Sequence, residues 1–120
     1  MKQIRGARAY QAGLSAEDAV ARDYEMRGHV IEARRFRKSS GEIDLIARKG
    51  PELIFIEVKQ SKTHETAAQS LSQRQLSRIY KSASEFLTNE PDGQDTPSRV
   101  DVALVDGKGR IERLENVQLD

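Results

Sequence analysis

Gly41-Glu42-Ile43-Asp44-Leu45-Ile46-Ala47, then Gly50-Pro51, then Leu53-Ile54-Phe55-Ile56-Glu57-Val58-Lys59 is the stretch whose reading decides the fold. Both flanks are short, rich in Ile, Leu, Val and Phe, and bounded by turn residues, which is the pattern of strands. Gly50-Pro51 is a turn signal, so residues 42–47 and 53–59 are expected to pair as an antiparallel hairpin. Side chains alternate across a strand, so residues two apart share a face. Glu42 and Asp44 therefore point one way, and Ile43, Leu45 and Ala47 the other. On the second strand Glu57 and Lys59 share a face, while Ile54, Ile56 and Val58 line the opposite one. Folding the hairpin then brings Asp44 and Glu57 side by side, with Lys59 one step further along.

Upstream, Ser15 offers a helix N-cap with Asp18 three residues on, and Ala16, Ala19, Val20 and Tyr24 follow at helical spacing. With Gly28 as a stop, this predicts a helix over 16–27, followed by a strand over 29–37. Downstream, the polar stretch 61–70 reads as a loop near the cleft. Leu76, Ile79, Tyr80, Ala83, Phe86 and Leu87 recur at helical spacing and predict a helix over 72–88. Residues 89–97 contain no apolar side chain other than proline's ring and read as an exposed loop. A strand over 99–105, the turn Asp106-Gly107-Lys108-Gly109 and a short strand over 111–114 complete the chain. The expected class is α/β, in the order α-β-β-β-α-β-β, one sheet with helices packed on it. Residues 1–13, with Lys2, Arg5, Arg8 and two glycines, read either as a flexible basic arm or as a terminus without a role, leaving 14–120 as one domain.

A chain of 120 residues is long enough to bury a core without a staple. With three Phe, three Tyr and no Trp, that core must be aliphatic. The absence of cysteine excludes disulfides and thiolate metal sites. No apolar run approaches a membrane span and the first residues lack a secretion signal's apolar stretch, so a cytoplasmic protein with no membrane partner is expected. Residues 1–50 hold eleven Lys and Arg against seven Asp and Glu, whereas 51–120 hold nine against twelve. A basic first half of this kind suits phosphates as partners.

Two carboxylates set side by side raise each other's pKa, which costs stability unless a cation relieves them. A divalent metal does so, and oxygen-only ligands favour Mg²⁺, Mn²⁺ or Ca²⁺ over zinc. A plainer reading fits the same pattern: charged residues at strand ends that reach solvent, with Lys59 in a salt bridge to either acid.

Gly41-Glu42-Ile43-Asp44-Leu45-Ile46 followed after a turn by Ile54-Phe55-Ile56-Glu57-Val58-Lys59 resembles the Asp…Glu-x-Lys motif of the restriction-endonuclease-like nuclease superfamily. More narrowly, it resembles the YraN-like bacterial family of small stand-alone domains. The resemblance extends from Gly13 to Val105 and takes in Ala16-Glu17-Asp18-Ala19, Arg34-Arg35-Phe36-Arg37 and Arg99-Val100-Asp101-Val102. A bare Asp…Glu-x-Lys is common by chance; the apolar context around it is much more specific. The resemblance implies a restriction-endonuclease-like mixed sheet flanked by helices. It also implies that Asp44 and Glu57 hold Mg²⁺ or Mn²⁺, helped by the Val58 carbonyl. Lys59 would orient or polarise the attacking water, and Glu17 would add a ligand or position water. Two departures bear on substrate contacts: Gln60, Ser61 and Lys62 stand where the family tends to place an Arg, and Arg35 and Phe36 where it often has Asn and Trp.

Arg34, Arg35, Arg37 and Lys38 form the densest basic cluster and are the expected nucleic-acid contacts, unless they merely charge an edge strand against aggregation. Arg74, Arg78 and Lys81 read first as ordinary helix surface and second as DNA contacts. Gln60 and Gln73 are weak candidates to reach the site, and Asp101 is expected to pair with a neighbouring Arg. The implied function is a metal-dependent nuclease acting on structured or branched DNA. A non-catalytic nucleic-acid-binding module on the same fold and a protein-interaction domain using the acidic second half are the alternatives. The oligomeric state is open, with a homodimer compatible.

Overall fold

The computed structural model describes residues 15–120, so the basic arm expected over 1–13 lies outside the described residues. Helix α1 covers 15–26 and stops where Gly28 takes φ +94°, a left-handed conformation that glycine adopts without a Cβ clash. There the His29 N–H donates back to the Tyr24 carbonyl at 3.0 Å, closing the helix end as the Gly28 signal predicts. Strands β1 (Val30–Lys38), β2 (Gly41–Lys49) and β3 (Glu52–Gln60) follow as an antiparallel meander. Helices α2 (His64–Gln69) and α3 (Gln73–Leu87) then carry the chain to β4 (Ser98–Val105), and β5 (Ile111–Leu114) ends the sheet. The sheet order is β1-β2-β3-β4-β5. Only the β3–β4 pair is parallel, which is why that connection needs helices rather than a hairpin turn.

The mixed sheet flanked by helices agrees with the expected class. One element departs from it. The stretch 61–70 is not wholly loop, because residues His64–Gln69 form α2. Thr63 and Thr66 cap it reciprocally, each side chain meeting the other's backbone N–H. Six residues are too few for a periodic signal, and a Thr in place of the usual Glu or Gln hides the capping box.

Each face of the sheet carries its own apolar cluster. Ala16, Val20, Ala21 and Tyr24 of α1 pack on Leu45, Ala47, Ile54, Ile56, Ala103 and Val105. On the opposite face Leu76, Ile79, Ala83 and Leu87 of α3 pack on Ile46, Leu53, Phe55 and Val100. Ser72 caps α3 by accepting from the Gln75 N–H at 3.0 Å.

The simple alternation expected of β2 breaks at the site. Leu45 and Ala47 join the α1-side cluster, but Ile43 packs with the α3-side cluster. The same change occurs on β1, where Ile31 packs on the first cluster and both Ala33 and Phe36 on the second. Between the last two, Arg35 takes φ +54°, an uncommon conformation for a residue with a Cβ. The β1–β2 register also shifts between Ile31 and Ala33, a bulge that breaks the two-residue period on β1.

The β4–β5 connection supplies a pH-dependent test. Asp106 accepts from the Lys108 and Arg110 N–H groups at 2.9 Å each and from Arg110 Nε at 2.8 Å, and these bonds lower its carboxyl to about 2. A carboxylate whose pKa is depressed on folding stabilises above its unfolded value and loses that contribution as pH falls toward the folded one. Wild type is therefore expected to lose stability relative to Asp106→Asn as pH falls from the ordinary aspartate value of 3.8 to about 2. Chemical denaturation across that window checks this; parallel curves for the two proteins would refute it.

Candidate metal centre

The backbone ladder between β2 and β3 runs from Lys49↔Glu52 to Leu45↔Ile56. Beyond that pair the Val58 N–H donates to Asp44 Oδ2 at 2.8 Å, so a side chain takes over where the strands diverge. This opening is the floor of a cleft of about 340 Å³ lined by Gly41, Glu42, Asp44, Glu57, Val58, Lys59, Gln75, Arg78 and Ile79. Asp44 on β2 and the run Glu57-Val58-Lys59 on β3 thus meet in one place.

Glu57 is buried at 6% exposure, while Asp44 and Lys59 are half-buried. Burial, followed by hydrogen bonding and charge from Asp44, pushes the Glu57 carboxyl up to about 9. The Lys59 charge and a hydrogen bond from Gln75 Nε2 to Glu57 Oε2, 2.8 Å long, pull the other way. Lys59 makes no ion pair within 4.0 Å among the described residues, so it acts on Glu57 through space.

Glu17 does not line the cleft but lies near it on α1. Its carboxyl is raised by burial and by the Asp44 charge, with Arg35 opposing through a hydrogen bond of 3.2 Å from Nε. The other β1 cations are also occupied: Arg34 pairs with Asp18 at 2.5 Å and Arg37 with Glu42 at 3.4 Å. Lys38 sits 5.8 Å over the Phe36 ring. Asp101 is fully buried and pairs with Arg99, as expected from the sequence.

The glutamine that reaches the site is Gln75, not Gln60 or Gln73; Gln73 Oε1 instead accepts from the Asp120 N–H at 3.2 Å. A sequence signal for Gln75 existed: it lies directly before Leu76 and four residues before Ile79, at the edge of the buried stripe of α3. What could not be read was which strand that edge would meet.

The donor set suits a hard divalent cation. Two carboxylates and the Val58 carbonyl are oxygen ligands, and the paired carboxylates gain from added positive charge. Among the described residues no group of three or more Asp, Glu or His side chains is arranged around an ion.

Comparison with protein families bears on this cleft directly, because the match includes every one of its lining residues. The model described as "Uncharacterised protein family UPF0102" matches residues 16–105. The chain belongs to the UPF0102 family. A UPF0102 protein of Cereibacter sphaeroides is 61% identical over 113 residues, covering 94% of this chain and 97% of its own. A UPF0102 protein of Ruegeria pomeroyi is 57% identical over 112 residues, covering 93% and 91%. One of Roseobacter denitrificans is 50% identical over 111 residues, covering 92% and 86%. The chain thus spans nearly the whole length of these UPF0102 relatives. Among its described residues no helix is long and apolar enough to cross a membrane.

Proposed function

We propose that this UPF0102 domain is a Mg²⁺- or Mn²⁺-dependent nuclease of the restriction-endonuclease-like class, hydrolysing phosphodiester bonds of structured or branched DNA. One observation carries the reading: a buried Glu57 carboxyl faces Asp44 in an open cleft, with the Lys59 ammonium near enough to act on it. Nothing in the packing requires two carboxylates there, and their proximity raises the free energy of the metal-free fold.

Asp44 and Glu57 would hold the cation, with the Val58 carbonyl as a third oxygen. When bound, a divalent ion supplies Lewis-acid polarisation of the phosphodiester and a lowered pKa for water. Lys59 orients the attacking water by hydrogen bonding and stabilises negative charge growing on the phosphoryl oxygens. Gln75 holds Glu57 in place by donating from its amide to Oε2. Glu17, tied to Arg35, adds negative potential behind Asp44.

The direct test incubates the purified protein with branched, flapped, duplex and single-stranded DNAs, with and without Mn²⁺ or Mg²⁺. Metal-dependent cleavage of at least one branched or flapped DNA is expected. If nothing is cut, the nuclease reading is lost, and DNA binding without cleavage replaces it with a binding module.

A thermal titration tests the metal centre independently of cleavage. Asp44→Asn keeps the acceptor for the Val58 N–H but removes the charge that helps push the Glu57 carboxyl up, so its metal-free melting temperature is expected to equal or exceed that of wild type. Wild type gains stability as Mn²⁺ is added, by roughly 2.7 kcal/mol at a hundredfold excess over Kd. Asp44→Asn gains much less. Were Asp44 merely a counter-charge for Lys59, Asn would lower the melting temperature and neither protein would respond to metal.

A further inference from the structure

We propose that α3 is the track along which the nucleic-acid backbone is held, through a stripe formed by Arg74, Arg78 and Lys81, with Arg78 gripping the phosphate nearest the metal centre. This rests on the nucleic-acid reading above and moves the contact surface away from the β1 cations that the sequence alone suggests.

Three observations support it. First, Arg78 lines the same cleft as Asp44, Glu57 and Lys59, across from Gly41 and Glu42. A strand whose scissile phosphate reaches the carboxylates must pass this side chain. Second, residues 74, 78 and 81 are spaced four and three apart, so they lie on one face of α3, and all three are exposed. The stripe covers about 10 Å of helix. Gln73 to Ser84 contains no acid, so nothing on the helix itself neutralises it before Glu85. Third, among the described residues none of these three cations has an ion pair or a hydrogen-bonded side-chain partner. The β1 guanidiniums differ: Arg34, Arg35 and Arg37 each hold an acid, and a phosphate arriving there must first displace Asp18, Glu17 or Glu42.

A free guanidinium at the cleft is also the better phosphate ligand, since its planar fork donates two parallel hydrogen bonds to adjacent oxygens. Arg78 lies four residues beyond Arg74 and three beyond Gln75. The turn of α3 that holds Glu57 through Gln75 therefore also presents the cation for the substrate, and the two functions share one rigid element.

The experiment measures affinity by fluorescence anisotropy for a labelled four-way DNA junction and a labelled duplex, without divalent metal, across a series of salt concentrations. Wild type, Arg78→Gln, Arg78→Lys, the triple variant Arg74→Gln/Arg78→Gln/Lys81→Gln and the double variant Arg35→Gln/Arg37→Gln are compared. Each lost phosphate contact flattens the plot of log affinity against log salt by about 0.9 units. Arg78→Gln is expected to lose about one unit, Arg78→Lys to recover most of it, and the triple variant to lose close to three units. The double variant keeps the wild-type slope. If the triple variant and each single change bind with wild-type slope while the β1 double variant does not, the α3 track is overturned and the nuclease reading stands. If wild type binds neither DNA even at low salt, both fall together. Exposed helix positions tolerate Gln, and the single variants decide the matter should the triple variant melt early.

Discussion

Asp44→Ala, Glu57→Ala and Lys59→Ala are each expected to lower metal-dependent DNA cleavage by about a hundredfold or more. The three losses differ in origin, and that difference is measurable. Asp44 and Glu57 are two of the oxygen donors, so either alanine also removes the stabilisation conferred by Mn²⁺. Lys59 is not a ligand, so Lys59→Ala keeps the thermal response to metal and loses only the rate. Of the two acids Glu57 is the more deeply placed, and Glu57→Ala opens a void between Gln75 and the sheet. Glu57→Gln is therefore the cleaner variant, preserving volume while removing the charge. Its metal-free form is expected to be at least as stable as wild type, because the carboxyl it replaces is held protonated to about pH 9 by burial and by Asp44. The rates are checked on whichever DNA the panel identifies, under single-turnover conditions. A Glu57→Gln protein that cleaves at the wild-type rate ends the case for this cleft.

The second large effect lies on β4. Asp101 is fully buried and accepts four hydrogen bonds: from Tyr24 Oη at 2.7 Å, from Arg99 Nε at 2.9 Å and Arg99 Nη2 at 3.2 Å, and from the Asn116 N–H at 3.0 Å. Helix α1, strand β4 and the segment after β5 are tied together at this one carboxylate. The same arrangement raises the Tyr24 hydroxyl's pKa, by burial first and by the Asp101 charge second. Removing Arg99 leaves a buried negative charge with only neutral donors, and breaking a buried pair costs 3–5 kcal/mol. Arg99 retains 21% exposure, which places Arg99→Ala near the lower end, about 3 kcal/mol. The melting temperature should then drop by about 10 °C. Tyr24→Phe removes one bond to a charged acceptor and should cost about 1.5–3 kcal/mol. An Arg99→Ala protein melting with wild type would mean that the network contributes nothing net. Neither change should alter the shift in melting temperature that Mn²⁺ produces, which separates this cluster from the metal centre.

The sequence revealed local features well and distant ones poorly. The β2–β3 hairpin was legible because its apolar runs and its Gly50-Pro51 turn are adjacent in the chain, and α3 because Leu76, Ile79, Ala83 and Leu87 repeat at the helical period. The meeting of Asp44 with Glu57 and Lys59 followed from that hairpin once the faces were assigned. Three things were not legible. The placement of Ile43 and Leu45 in opposite clusters accompanies a bulge between Ile31 and Ala33 and a left-handed backbone at Arg35, both in the neighbouring strand. The pairing of Arg34 and Arg35 with acids depends on where α1 lies over β1, and that of Arg37 with Glu42 on the β1–β2 register. Gln75 entered the site because α3 packs across β2 and β3, a contact that no periodicity encodes.

The sheet order has a kinetic meaning. In β1-β2-β3 each strand pairs with its immediate successor across a tight turn, so bringing Asp44 to Glu57 requires closing only a few residues of chain. The parallel pairing of β3 with β4 joins partners as distant as Leu53 and Ser98 and waits on the ordering of everything between them. The Asp101 network belongs to that slower, long-range half of the assembly. The carboxylates can therefore be neighbours in a chain whose β4 has not yet joined the sheet, whereas the network that ties α1 to β4 through Asp101 exists only after that long closure.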